Sequence, residues 1–505
     1  MDARGGIAHC PVSPDLPESL LIGGVWRAAR DGRTRTVAGP VAEAGPARVA
    51  EAGPRDTRDA VAAARLAFDE GPWPRLPGRE RAQILYDAAD LVEESGARLA
   101  RLQAVDMGKP VRFGEGDDVP FAAMALRFFA AMASQQNRGQ SPPSVGGSAL
   151  RQPRGVVGAA CAFHHPLAMA AAIVAPALAM GDTVVLKPPT AAPRAVLEFA
   201  RLCQEAGLPP GALNVVTGGR STGCAMASNR GVDLVSFLGS VPQGRQLATA
   251  CATQFVPMDL DLGLPNAHIV FEDAHLEHAA WQTARSLLPG RAEFRASGVR
   301  VLVHEQVYPE FLERLSTHLR SLVPGDPRDP ATRLGPLAGD AERAGLEGFL
   351  GHGRTVGARL LPLGADDAPA AGPGPADLRA DLLVPARLVQ VPLLAAGAVA
   401  PVPDIFAPLA LLTVFRETAD AVAAVNRDSG THACSLYTVD VGRAAAVAEV
   451  LRAQSCWIKA ARPGGDLTDP LADEDADDSA PLREFGLDSA LPFTRHKDVR
   501  VDLPY

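Results

Sequence analysis

The spacing of apolar residues predicts helices and one strand in the first hundred residues. From Glu80 to Val105 apolar residues recur every three or four positions, with charged residues between them, which predicts one long amphipathic helix. The alanine-rich segment Arg58–Phe68 follows the turn-forming pair Gly53 and Pro54 and is predicted as a second helix. Before both, Leu21–Trp26 is predicted as a short strand.

Further along, short apolar segments alternate with helix-like segments. The predicted elements are, in order, Gly155–Ala160, Leu167–Met180, Thr183–Leu186, Ala195–Glu205, Leu213–Val216, Ala225–Ser228 and Leu234–Phe237. Apolar strands without polar alternation, joined by helical crossovers, indicate a parallel sheet covered on both faces. A dinucleotide usually binds at the carboxyl ends of such strands. A second alternating region, from about Asn266 to Trp457, predicts another α/β layer.

Composition narrows the class of protein. A chain of 505 residues, 47% hydrophobic, is long enough for two sizeable cores. The formal charge of -9 disfavours nucleic acid as a partner. The longest uncharged runs, Leu167–Met180 and Leu388–Pro403, are shorter than the roughly 20 residues of a membrane-spanning helix. Because the first residues also lack the apolar core of a signal peptide, we expect a cytoplasmic protein that does not enter a membrane.

Cysteines and histidines give no metal-binding pattern. The seven cysteines show no CxxC spacing, which argues against a disulfide framework and a zinc site. His275 and His278 lie beside Asp273 and Glu277, but Asp273 suits a helix N-cap and both histidines suit the exposed face of a first turn. We therefore expect no metal. Cys161 is expected on a buried strand, as a small apolar side chain.

Nine segments, spread over nearly the whole chain, match the motifs of one known family in that family's order. They are LIGGVW, FDEGPWPRLPGRERAQIL, DMGKPV, RGVVGAACAFHHPLAMAAAIVAPALAMGDTVVLKP, EAGLPPGALNVVTG, FLGSVPQGR, LVHEQVYPEF, IFAPL and REFGLDSALPFTRHKDVRV. Several carry little weight alone, but nine in order do not arise by coincidence. The chain therefore resembles the aldehyde dehydrogenase superfamily.

The resemblance implies an α/β fold of three parts. Residues 1–137 and 152–260 would form a Rossmann-type dinucleotide-binding domain, residues 261–465 a second, catalytic-type α/β domain, and residues 138–151 and 480–505 a small β arm. Members of the family are dimers or tetramers built through that arm, so we expect a homo-oligomer, or a hetero-oligomer with an active paralogue. A shared fold does not by itself establish a function.

The resemblance also implies a site for NAD or NADP. Lys187, in LKP, matches the family lysine that binds the adenosine ribose, and an ammonium donor suits hydroxyl or phosphate oxygens. Gly239, Ser240 and Gly244 match the turn that presents a helix N-terminus to the pyrophosphate, where backbone N–H groups and the helix dipole favour an anion. The competing interpretation is that a scaffold binding nothing would keep the same residues.

Three further positions bear on the cofactor. Thr190 stands where NAD-preferring members carry a glutamate. Without that carboxylate the 2′-phosphate of NADP is not repelled, so NADP is at least as good a candidate as NAD. Asp404 stands where a glutamate usually holds the nicotinamide ribose and is one methylene shorter. Phe406, in the same segment, is counted with the expected cofactor-binding residues.

The expected catalytic centre departs from the family at every side chain. In the family a cysteine thiolate attacks the aldehyde, an asparagine stabilises the oxyanion and a glutamate activates water. The alignment places Arg295 at the cysteine, His164 at the asparagine and Asp261 at the glutamate. No cysteine occurs between Cys251 and Cys434, and a protonated arginine offers no lone pair to a carbonyl carbon. We therefore expect the thioester route to be absent.

Three interpretations of this centre follow. His164 and Asp261 could act as an acid/base pair, so that an aldehyde hydrate passes hydride to NADP without a covalent intermediate. Arg295 could instead bind a carboxylate or phosphate. In the third interpretation, which we favour, the pocket has filled with side chains that merely pack. The predicted function is then an inactive or vestigial enzyme that acts through assembly with partners, and the alternative is a non-thiol oxidoreductase acting on an aldehyde.

Overall fold

The computed structural model describes residues 19–42, 47–135, 148–263, 266–288, 299–355, 357–363, 375–392, 407–427, 433–453, 455–459 and 487–499. Its strands are, in chain order, β1 (Leu20–Ile22), β2 (Val25–Arg27), β3 (Thr34–Val37), β4 (Ala47–Ala50), β5 (Ser148–Pro153), β6 (Val156–Cys161), β7 (Thr183–Lys187), β8 (Leu213–Val215), β9 (Leu234–Ser240), β10 (Met258–Gly263), β11 (Asn266–Val270), β12 (Val299–His304), β13 (Arg359–Leu361), β14 (Arg387–Gln390), β15 (Leu409–Phe415), β16 (Ala433–Tyr437), β17 (Ser455–Ile458) and β18 (Thr494–Val499).

The helices lie between these strands, and five of them, α1 to α5, follow one another between β4 and β5. In chain order they are α1 (Pro54–Asp69), α2 (Gly78–Glu94), α3 (Gly96–Met107), α4 (Val111–Phe113), α5 (Val119–Ser134), α6 (Pro166–Met180), α7 (Arg194–Glu205), α8 (Arg220–Ala227), α9 (Val241–Ala252), α10 (Leu276–Ser286), α11 (Tyr308–Arg320), α12 (Asp340–Thr355), α13 (Thr418–Arg427), α14 (Val441–Val450) and α15 (Leu487–Ala490). A π-helical turn, Gly114–Asp118, precedes α5. In the part of the chain described, no helix combines the length and apolar composition needed to cross a bilayer.

The first sheet has seven strands in the order β10-β9-β6-β7-β8-β1-β2. Strands β6 to β10 run parallel to one another, and β1 and β2 add an antiparallel edge. Helices α2, α5, α6 and α7 pack on one face, and α1, α8 and α9 on the other. Every residue of β6 is buried, as expected for a strand covered on both sides. The predicted parallel sheet with two covered faces is confirmed.

Two predicted elements near the start are each divided in the structure. The strand predicted at Leu21–Trp26 is a hairpin of β1 and β2, because Gly23 and Gly24 adopt φ of 63° and 84° and turn the chain. The prediction of one long helix from Glu80 to Val105 was also wrong, because this segment forms two helices, α2 and α3. It breaks at Ser95, where ψ is 9°, and the apolar spacing continues across the break, so periodicity alone cannot detect it.

The second sheet also has seven strands, in the order β13-β14-β15-β12-β11-β16-β17. All neighbouring pairs are parallel except β13 with β14. Helices α10 and α11 cover one face, and α13 and α14 the other. This confirms the second α/β layer. The two sheets and their helices form the framework on which the candidate site lies.

A two-stranded ribbon joins the segment before β6 to the C-terminal region. Strands β5 and β18 pair antiparallel, with Thr494 opposite Pro153 and Val499 opposite Ser148. The ribbon belongs to neither large sheet. Much of the predicted arm, residues 138–147, 480–486 and 500–505, lies outside the described residues, and the role of the arm in oligomerisation stays a prediction.

Candidate functional site

A cavity of about 380 Å³, called the cleft below, opens at the carboxyl ends of β6 and β7. Its walls are the ends of these strands, the start of α8, the first turns of α9 and a single side chain of the second domain, Glu342 on α12. Small-molecule sites have volumes of a few hundred Å³, and in open α/β sheets they lie beyond the carboxyl ends of the strands. The cleft is therefore the candidate site.

Lys187, the last residue of β7, lines the cleft. Its side chain is half-buried, and Nζ donates a hydrogen bond to the backbone oxygen of Pro188 at 3.0 Å. Burial lowers the pKa of Lys187 because it disfavours the charged form. An ammonium group at the edge of a cavity is a suitable donor for hydroxyl or phosphate oxygens of a ligand.

Thr190 and Arg220 lie on the walls of the cleft as well. The Thr190 hydroxyl donates to the backbone oxygen of Gly218 at 3.1 Å, so this neutral side chain is fixed to the turn before α8. Arg220 is the first residue of α8. Lys187 and Arg220 give this wall a cationic character, which suits an anionic ligand.

The end of β9 and the start of α9 form the turn that carries three predicted cofactor residues. Ser240 is the N-cap of α9, with φ of -74° and ψ of 151°. Gly239 lies against the ring of Phe237, and a Cβ at Gly244 would collide with Leu262. The glycines therefore permit close packing of α9 on the sheet, and the first turns of α9 contribute Gln243 and other side chains to the cleft.

His164 lies in the four-residue turn between β6 and α6. Its side chain is buried, with 8% exposure. The ring stands edge-to-face between Phe163, at 5.9 Å between centroids, and His165, at 5.7 Å. Ala162 is the first residue after β6, and its N–H donates a hydrogen bond to the backbone oxygen of Leu238 at 2.8 Å, where the turn begins.

Asp261 lies on the edge strand β10, opposite Leu238 of β9, which in turn lies opposite Cys161 of β6. Opposed residues of neighbouring parallel strands point to the same face, so Asp261 leaves the sheet on the face covered by α6. Two strand spacings separate its backbone from that of Cys161, about 10 Å. The structure thus places Asp261 and the turn that carries His164 at the same end of the first sheet, the carboxyl end of its parallel strands.

Comparison with known proteins identifies the family. A family model described as the aldehyde dehydrogenase family matches residues 26–470. The chain belongs to the aldehyde dehydrogenase family.

The similarity to individual aldehyde dehydrogenases extends over the full length. Aldehyde dehydrogenase family 2 member C4 of Arabidopsis thaliana is 32% identical over 97% of this chain and 96% of that protein. The NADP/NAD-dependent aldehyde dehydrogenase PuuC of Escherichia coli (strain K12) is 31% identical over 97% of this chain and 96% of its own length. The P. syringae indole-3-acetaldehyde dehydrogenase AldA, solved as a cysteine-to-alanine mutant in complex with NAD+ and IAA, superposes with a TM-score of 0.82 at 28% identity, covering 96% of this chain and 97% of that chain.

Two thiols border the cleft of this aldehyde dehydrogenase family member, Cys161 at the end of β6 and Cys224 on α8. Cys161 is 4% exposed, which agrees with its predicted place on a buried strand. Burial raises the pKa of the Cys161 thiol to about 12, against the opposing charge of Lys187. A thiol in that state is a poor nucleophile at neutral pH, because the thiolate is the reactive form.

Three predicted site residues, Arg295, Asp404 and Phe406, lie outside the described residues. Their roles therefore stay predictions from the resemblance. The sequence analysis also missed the two other charged residues of the cleft, Arg220 and Glu342. Arg220 follows two glycines at a strand-to-helix turn, a signal of the same kind as the one at Lys187. Glu342 comes from the second domain and carries no local signal.

The structure corrects the sequence interpretation of the histidines near α10. The N-cap of α10 is His275 rather than Asp273, because the Asp273 carboxylate accepts a hydrogen bond from the Thr438 hydroxyl at 2.8 Å. His278 is 5% exposed and packs edge-to-face on Tyr437, so it does not lie on an exposed surface. Within the described ranges no three His, Cys, Asp or Glu side chains are grouped to hold a metal ion.

Proposed function

We propose that this member of the aldehyde dehydrogenase family binds a nicotinamide dinucleotide in the cleft, lacks the thioester chemistry of the family, and acts through assembly with partners. The observation that carries the proposal is the cleft itself. It lies at the carboxyl ends of parallel strands, and Lys187 and Arg220 line it. Both the position and the charge suit the phosphates of a dinucleotide.

NADP is the dinucleotide that we expect to bind at least as well as NAD. Thr190 brings no negative charge to the wall it shares with Lys187 and Arg220, so a 2′-phosphate would meet two cations and a hydroxyl. A family member named for use of both cofactors, PuuC, supports the assignment of either cofactor. Glu342 is the one carboxylate on the described lining, and it comes from the other side of the cleft.

The proposal that thioester chemistry is absent rests on the lack of a reactive cysteine at the expected position of the nucleophile. By resemblance Arg295 occupies the position of the nucleophile, and no cysteine lies between residues 251 and 434. The thiol of Cys161 is protonated at neutral pH. In a hydrolase, loss of the nucleophile lowers turnover by a factor on the order of 10⁶. AldA retains NAD+ and IAA in its cysteine-to-alanine mutant, which supports the view that binding and chemistry are separable in this fold.

Partner assembly is the remaining part of the proposal. The ribbon of β5 and β18 pairs two distant segments of the chain without joining either large sheet. An antiparallel ribbon of two strands is marginal on its own in water, so contact with another subunit would stabilise it. We propose a homo-oligomer, or a hetero-oligomer with an active paralogue. Light scattering of the purified chain alone and after co-expression with such a paralogue tests this, and a monomer in both samples contradicts it.

Calorimetric titration with NAD and with NADP tests cofactor binding. We expect saturable binding of NADP, weakened at least tenfold by Lys187→Met, because a donor to the ligand is lost. Lys459→Met, at a lysine that lies over the ring of Trp457 in the second domain, is the control and should leave binding unchanged. No heat of binding with either dinucleotide at millimolar concentration contradicts the proposal.

The Arg295→Cys variant tests the loss of chemistry separately. With NADP bound and an aldehyde added, we expect NADPH formation by the variant and none by the wild type. Arg295→Ser is the matched control, since it removes the guanidinium without supplying a thiol. Equal NADPH formation by all three proteins contradicts the proposed role of position 295.

Oxidation by a non-thiol route is the second candidate function. The observation in its favour is that Asp261 lies at the same end of the first sheet as the His164 turn. An acid/base pair there would take a proton from an aldehyde hydrate as hydride passes to the dinucleotide. NADPH formation by the wild type that His164→Ala abolishes supports this route, and an unchanged rate rules it out.

A further inference from the structure

Three charged or titratable side chains meet in a closed triangle beneath the His164 turn. Lys109 Nζ donates to Asp118 Oδ1 at 2.5 Å, and His165 Nδ1 lies 2.8 Å from each of these two atoms. Exposure is 1% for Lys109, 0% for Asp118 and 4% for His165. None of the three lines the cleft. Such a cluster is costly to bury unless its members compensate one another.

The triangle draws together three separate parts of the first domain. Lys109 follows α3 and is one of only four lysines in the chain. Asp118 ends the π-helical turn before α5, and His165 is the N-cap residue of α6. π-Helical turns occur often at functional sites. The three side chains therefore tie α3 and the π-helical turn to the first residue of the helix that follows His164.

The charges in the triangle balance. Burial alone raises the pKa of Asp118, but the charge of Lys109 and the hydrogen bonds from His165 and Lys109 outweigh it, so the pKa falls below its usual value. Burial and then the charge of Lys109 lower the pKa of His165, against the attraction of Asp118. Both shifts favour an ionised Asp118 beside a neutral His165.

A neutral imidazole carries one proton, and the geometry indicates where it lies. Asp118 Oδ1 is the only anionic acceptor in the triangle, and a carboxylate oxygen accepts two hydrogen bonds. With the His165 proton on Nδ1, both Lys109 and His165 donate to that oxygen. With the proton on Nε2, the lone pair of Nδ1 would face the carboxylate oxygen at 2.8 Å, which is repulsive.

We propose that Lys109 and Asp118 are positioning residues that hold the His165 ring in place through its Nδ1 atom, and thereby fix the turn that carries His164. The inference rests on the proposed function only in so far as His164 belongs to the altered catalytic centre. The His165 ring contacts the His164 ring edge-to-face, so a fixed His165 restricts the rotation of His164. The backbone oxygen of His165 also accepts the first hydrogen bond of α6, from Met169 at 2.9 Å.

Nitrogen-15 spectra of histidine-labelled full-length protein, free of nucleotide, test whether Lys109 and Asp118 hold His165. The His165 signals are identified by their absence in His165→Asn. We expect the wild-type His165 ring to stay neutral from about pH 5 to pH 8, the range in which histidines usually titrate. A His165 ring that becomes protonated near its ordinary pKa overturns the inference, because the Lys109 ammonium would not then lie against Nδ1.

Variants separate positioning from simple packing. In Lys109→Met the cation that opposes protonation is gone and the carboxylate remains, so His165 should titrate in the neutral range. Lys109→Arg keeps the positive charge, so His165 should stay neutral in this variant. The double variant Lys109→Met with Asp118→Asn removes both charges. It leaves no unpaired carboxylate in the core, so it serves as the test if Lys109→Met alone fails to fold. In the double variant His165 should stay neutral, because burial still disfavours its charged form.

Hydrogen exchange at the Ala162 and Met169 amides reads out the turn itself. In the double variant we expect exchange faster by about tenfold or more, since the anchor of the turn is lost. Glu198→Gln, which alters another fully buried carboxylate paired with arginine, is the matched control and should leave both amides protected. Equal acceleration in both variants assigns the effect to general destabilisation and contradicts the positioning role. Binding of NADP is measured in a separate experiment, so the positioning role and the proposed cofactor binding can each be contradicted without the other.

Discussion

The substitution Thr190→Glu tests the charge of the cleft most sharply. The new carboxylate would stand on the wall shared with Lys187 and Arg220, about 5 Å from a 2′-phosphate bound there. At that separation, and at the effective dielectric constant of about 20 that suits protein sites, two unit charges interact by about 3 kcal/mol. The cleft is open to water and Lys187 partly neutralises the new charge, so we take about half of this. NADP should then bind roughly tenfold more weakly or worse, because 1.4 kcal/mol is a factor of ten.

The assay is a calorimetric titration of each variant with NAD and, separately, with NADP, which gives the two affinities to be compared. NAD lacks the 2′-phosphate and should bind to Thr190→Glu within about threefold of wild type. Thr190→Gln has nearly the same size without the charge, and it should keep the wild-type ratio of the two affinities. If Glu and Gln weaken NADP equally, or if Glu weakens NAD as much as NADP, the placement of the 2′-phosphate beside Thr190 is refuted.

Three other predictions follow from the structure. Arg194→Met removes the partner that Asp106 contacts at 2.5 Å and should lower the free energy of unfolding, measured in urea, by about 3–5 kcal/mol. Burial raises the pKa of Asp106 in the folded protein. The loss of stability should therefore shrink as the pH falls and Asp106 becomes protonated. Native Cys161, with its pKa raised to about 12, should react with iodoacetamide near pH 7.5 at least about tenfold more slowly than in the unfolded chain, as followed by mass spectrometry. Gly239→Ala brings a methyl group against the ring of Phe237 and should weaken NADP binding in titration while leaving α9 folded by circular dichroism; unchanged affinity contradicts a role for this turn.

Apolar runs predicted the core of the fold because they report burial directly. Residues of β6 and α6 are buried throughout, and both elements were predicted within one residue at most of their ends. The breaks were missed for a local reason. At Gly23 and Gly24, and again at Ser95, the backbone turns without interrupting the apolar spacing. Periodicity carries no information on such positions.

The candidate site was predictable only where a motif marks a strand-to-helix turn. Lys187 and Thr190 were found in this way, and both line the cleft. Glu342 reaches the cleft from the second domain, and His165 meets Lys109 across a separation of 56 residues. Contacts of this kind depend on how whole elements pack, and no local pattern in the chain encodes them. Lys109 is one of only four lysines in the chain, and this rarity is the single hint in the sequence that it has a specific role.

The most direct test of the central claim is NADPH formation by the wild-type protein, saturated with NADP and mixed with an aldehyde, before and after treatment with iodoacetamide. We expect binding of NADP without any thiol-dependent production of NADPH. Aldehyde oxidation that iodoacetamide abolishes would contradict the account, because it would show that a cysteine of this chain performs the chemistry.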